Sequence, residues 1–115
     1  MSHSVCVYLG ARAGLGSQWA DAARIAGKAI AEAGHTLVYG GGQLGLMGIL
    51  ADSALAEGGR VVGVIPQALV DLEQAHPNLH EQHLVANMHQ RKAKLTELAD
   101  AFLVLPGGFG TLDEL

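Results

Sequence analysis

Four short β-rich apolar runs, each closing on glycine or proline, are separated by stretches that favour helix. The runs are SVCVYLG (4–10), HTLVYGGG (35–42), RVVGVIP (60–66) and AFLVLPGG (101–108). Between them lie SQWADAARIAGKAIAEAG (17–34), which is Ala-rich and ends at Gly34, and LGLMGILADSALAEGG (44–59), stopped by Gly58 and Gly59. NMHQRKAKLTELAD (87–100) is a third helix with Asn87 as its cap, and HEQHLVA (80–86) reads as a short fourth strand before it. Strands that are apolar nearly throughout, with helices in between, predict a parallel sheet covered on both faces. The expected fold is therefore a doubly wound, Rossmann-like α/β domain over residues 1–115, and ligands of such sheets bind outside the carboxyl ends of the strands.

Composition narrows the function. The chain has 115 residues, a net charge of −4 and no run of Lys and Arg, which argues against a nucleic-acid or anionic-membrane surface. No stretch reaches the roughly 18–20 apolar residues of a membrane span, and MSHSVCVYLG lacks the features of a secretion signal. A single cysteine, Cys6, lies in an apolar run and builds no disulfide, so a cytoplasmic setting is expected. His76, His80, His83 and His89 show no metal-ligand spacing and read as surface or loop residues; neither a metal nor a cofactor is implied.

Three strand ends carry glycines: GARAGLG (10–16), GGGQLG (40–45) and PGGFGT (106–111). The middle one fits G-x-G-x-x-G at Gly40, Gly42 and Gly45. A dinucleotide site also wants an acid at the end of the next strand, where this chain has Pro66, so NAD binding is disfavoured. No glycine loop is followed by Lys-Ser or Lys-Thr, which excludes a Walker A loop. PGGFGT is a better anion cradle: its glycines admit a phosphate, Thr111 adds a hydroxyl, and the helix beginning there offers free N–H groups. Three glycine loops on one sheet edge favour a nucleotide-sized ligand over plain turns.

Glu114 has two readings. Thr111-Leu112-Asp113-Glu114 fits a capping box, in which the Glu reaches back to the cap amide; the alternative is a carboxylate facing a ligand. Arg91 and Lys92 bear on the choice, because at about 100° per residue they share the core-facing side of their helix with Met88, Leu95, Leu98 and Ala99. Two cations there either snorkel to solvent past the sheet end or aim into the cleft at an anion and at Glu114.

The segments VYGGGQLGLMG (38–48), GVIP (63–66), MHQRK (88–92) and LPGGFGTLDEL (105–115) resemble the LOG family, the cytokinin riboside 5′-monophosphate phosphoribohydrolases, which also carry a lysine decarboxylase label. The resemblance implies a homodimeric enzyme that cleaves the N-glycosidic bond of a nucleoside 5′-monophosphate, giving free base and ribose 5-phosphate. Arg91 and Glu114 match its catalytic pair. Lys92, Gly107, Gly108, Phe109, Gly110 and Thr111 match its nucleotide-binding residues, and Glu73 matches a substrate contact. No metal takes part. Where the family often has Gly-Ser-Ser after the first strand, this chain has Gly10-Ala11-Arg12, which removes a hydroxyl and offers Arg12 to a phosphate. The family pattern also continues past the helix bearing Glu114, so the 115-residue chain reads as a truncated form expected to fold poorly or lack activity alone. The competing, non-enzymatic reading is a carrier of a phosphorylated ligand such as molybdenum cofactor, since carriers of that kind share the fold. A carrier has no use for a carboxylate at the ribose, so the Arg91 and Glu114 pair favours the hydrolase.

Overall fold

The computed structural model describes residues 3–9 and 17–105. Five parallel strands, β1 (Ser4–Tyr8), β2 (Thr36–Tyr39), β3 (Val61–Pro66), β4 (Glu81–Val85) and β5 (Ala101–Val104), form one sheet in the order β4-β3-β2-β1-β5. The chain winds outward from β1 to β4 and then returns to place β5 on the other side of β1. That reversal between β1 and β5 is the switch point of a doubly wound sheet, where a crevice opens at the strands' carboxyl ends.

The helices cover both faces as the alternation predicts. Helices α1 (Ser17–Glu32) and α2 (Gly45–Ala56) pack on one face, where Val7, Leu37, Tyr39 and Val61 meet Ala23, Ile30, Leu46 and Leu50. Helix α3 (Met88–Leu98) lies on the other, with Leu95 against Cys6, Tyr8, Val38, Val62 and Val64. Neighbouring residues such as Cys6 and Val7, or Val38 and Leu37, thus serve opposite cores, because successive strand side chains point to opposite faces. Helix α2 is apolar nearly all round, as suits a helix wedged between α1 and the sheet. Burial of each Leu, Ile or Val in these cores contributes about 1.5–3 kcal/mol.

Strand β5 departs from the expectation of a strand buried on both faces. Phe102 and Leu103 are 49% and 39% exposed. The physical reason is position: among the described residues β5 pairs with β1 alone, whereas α3 packs over β1 to β4. Phe102 does stack on Tyr8, with ring centroids 5.9 Å apart.

Candidate active site

The loop after β2 and the start of α3 meet at the carboxyl edge of the sheet. Asn87 fixes where α3 begins: its Oδ1 accepts from the Gln90 amide at 2.9 Å, and Gln90 Oε1 in turn accepts from the Ala86 amide at 2.8 Å. This cap puts Arg91 in the first helical turn, facing the sheet. A cation there opposes the helix dipole, so its placement needs other partners, and it has them. Arg91 Nε donates to the Val64 carbonyl at 3.0 Å, and Nη2 donates to the Gly40 carbonyl at 2.6 Å and to Glu73 Oε1 at 2.7 Å. The Arg91 side chain is only 3% exposed and that of Glu73 16%. The arginine therefore does not snorkel to solvent.

One edge of the guanidinium has no oxygen partner among the described residues. Among the described residues, Nη1 meets the Met88 sulfur at 3.6 Å, a weak acceptor. Beside it a small recess at the ends of β1 and β2 is lined by Tyr8, Leu9, Tyr39, Gly40, Met47 and Arg91. The site thus combines a desolvated, pre-oriented cation with spare N–H groups and apolar walls. Such an arrangement can offer the Nη1 hydrogens to an anionic or carboxylate group.

The glycines after β2 lie close against the protein's own side chains. A Cβ on Gly40 would come within 2.5 Å of Arg91 Nη2 and 3.0 Å of the Met47 methyl. Gly41 has φ +78, and Gln82 Nε2 donates to its carbonyl at 2.7 Å. The buried Tyr39 hydroxyl donates to the Gly42 carbonyl at 2.6 Å, and burial, reinforced by the Asp52 charge, pushes that phenol well above its usual range. The G-x-G-x-x-G spacing thus marks a place where backbone must approach Arg91 and Glu73 closely.

Of the residues singled out from sequence, Arg91 and Glu73 come together, and Lys92 follows Arg91 partly buried. Arg12, Gly107, Gly108, Phe109, Gly110, Thr111 and Glu114 lie outside the described residues. His76 lies in a loop, as read from the sequence, but it is buried and not at the surface. Its side chain is 3% exposed and pairs with Asp52 Oδ1 at 2.7 Å. His80 also has a structural task, as its Nδ1 accepts from the Val61 amide at 3.1 Å. The partners of both are remote in sequence, so spacing alone held no signal. Among the described residues no group of three or more His, Cys, Asp or Glu is placed to hold a metal ion, and no helix is long and apolar enough to cross a membrane.

A doubly wound parallel sheet with a buried arginine at its carboxyl edge defines a Rossmann-like fold. The family described as "possible lysine decarboxylase" matches residues 47–115, and the chain belongs to that family. It is 52% identical to a cytokinin riboside 5′-monophosphate phosphoribohydrolase of Rhodococcoides fascians, covering 96% of this chain and 57% of that protein. It is 47% identical to the enzyme of the same name from Oryza sativa subsp. japonica, covering 96% of this chain and 46% of the relative. The chain spans about half the length of these curated relatives. Among solved structures, the Moco carrier protein of Chlamydomonas reinhardtii superposes with a TM-score of 0.81 at 22% identity, covering 99% of this chain and 68% of that one, a likeness of fold alone.

Proposed function

We propose that the protein hydrolyses the N-glycosidic bond of adenosine 5′-monophosphate or an N6-substituted derivative, releasing the base and ribose 5-phosphate. The names of the relatives support the reaction and substrate class. The observation that carries it in this chain is the buried Arg91, whose Nε and Nη2 are held by three oxygen acceptors among the described residues, while Nη1 meets only the Met88 sulfur among them.

In this reading the 5′-phosphate binds at Lys92 and the segment of Gly107, Gly108, Phe109, Gly110 and Thr111, and that remote binding energy positions the ribose. The C1′–N bond breaks with its electrons passing to the base. Water adds at C1′, and the proton it loses balances the one the base takes up. The cation that develops at the sugar is stabilised by the Glu114 carboxylate, which also activates the water. Arg91 orients Glu114 and an anionic substrate group through Nη1. Glu73 fixes Arg91 with one oxygen and contacts substrate with the other. The reaction calls for no metal or cofactor, the active protein is a homodimer, and it works in the cytoplasm. The alternative of a carrier draws on a likeness of fold only.

The test is to incubate the protein with adenosine 5′-monophosphate and with isopentenyladenosine 5′-monophosphate and follow free base by chromatography. Release of base from either supports the hydrolase. Tight binding of both without any release would replace it with the carrier.

A further inference from the structure

We infer that the hydrogen bond between His76 and Asp52 is a latch that sets Glu73 against Arg91, making both its members positioning residues of the glycosidase site; the catalytic part of this inference rests on the functional reading above. Residues 67–80 cross from β3 to β4 with only the three-residue 3₁₀ helix Gln67–Leu69 as regular structure. Backbone bonds tie this strap to the glycine loop: the Gln43 amide donates to Gln74 O at 2.7 Å, and the His76 amide donates to Gly41 O at 2.9 Å. Such bonds are the same for any side chain and do not by themselves choose a register.

The His76 side chain does choose one. Its Nδ1 accepts from the Asn78 amide at 3.1 Å, so Nε2 carries the proton and donates to Asp52 Oδ1 at 2.7 Å. Both ring nitrogens are thereby satisfied in a buried position, and a slip of the strap would strand them. Asp52 lies on α2, the helix that also brings Met47 against the loop at Gly40 and Gly42. The latch therefore anchors the strap to the same frame that backs the Arg91 site. Between Glu73 and His76 sits Gln74 with φ 52, a left-handed conformation that a non-glycine residue keeps only when its surroundings impose it. Release of His76 frees Gln74 to relax, which swings Glu73 away from Nη2.

Asp52→Ala is the probe, because the Asp52 side chain is 69% exposed and its loss leaves no cavity. The latch predicts faster hydrogen exchange at the Gln43 and His76 amides in this variant, with a modest fall in melting temperature as His76 Nε2 loses its acceptor. It predicts kcat/KM for base release down about tenfold, largely recovered in Asp52→Asn, which keeps the acceptor oxygen. Combined with Glu73→Gln, Asp52→Ala should cost nothing further, since it acts through Glu73. Unchanged exchange, unchanged kcat/KM, or losses that add in the double variant would each overturn the positioning role. In a protein that releases no base at all, the functional reading falls, and the exchange measurement alone decides whether the latch exists.

Discussion

Nη2 of Arg91 bridges two elements far apart in sequence, donating to Glu73 Oε1 at 2.7 Å and to the Gly40 carbonyl at 2.6 Å. A charge this deeply buried is tolerated because the carbonyls at strand ends and one carboxylate replace its water. The geometry is specific to a planar fork, which leads to the first prediction.

Arg91→Lys should keep the charge and lose the function. An ammonium cannot reach the Val64 and Gly40 carbonyls and Glu73 together while still presenting an edge to a ligand. Base release should fall by about 100-fold or more, and thermal unfolding should show a loss of about 3–5 kcal/mol as Glu73 is left poorly paired. Activity within a factor of two of the parent would show that the fork is not used.

Gly40→Ala tests the close approach of the glycine loop. Its methyl would sit 2.5 Å from Nη2, so the guanidinium must move or the loop must open. Activity should drop at least tenfold for a stability loss of only about 1–3 kcal/mol, as read by turnover and denaturant melts on the same sample.

Much of this was legible in the sequence, and the limits have a physical cause. The alternation of β1, α1, β2, α2, β3, α3 and β5 followed from apolar runs ending in glycine or proline, with β4 as a short strand before α3, and the helical period placed Arg91 toward the core. Those signals are local. The partners of Arg91 and His76 are not: Glu73 and Asp52 reach them only because the strap folds back over the glycine loop. The place of β5 in the sheet was equally hidden, since an apolar tetrapeptide reads the same at an edge as in the middle.

Tyr39 gives a prediction in pH. Burial first, and the Asp52 charge second, hold its phenol protonated beyond the usual range. The folded state therefore keeps a proton that the unfolded chain releases near pH 10. Its stabilising contribution is intact below about pH 10 and is lost as the pH rises further, because the native state then binds more protons than the unfolded one. Tyr39→Phe should remove that part of the alkaline slope in melting temperature. It should also cost about 1–3 kcal/mol at neutral pH by leaving the Gly42 carbonyl unpaired. An alkaline slope identical in both proteins would contradict this.

The proposed chemistry is tested most directly by Glu114→Gln, compared with the parent for adenosine 5′-monophosphate binding by calorimetry and for base release by chromatography. Neutralising the carboxylate removes stabilisation of the sugar cation while keeping the side chain's size, so affinity should stay within about threefold and release should fall at least 1,000-fold. Release at the parent rate would leave Glu114 as a helix cap and contradict its assigned role in stabilising the sugar cation.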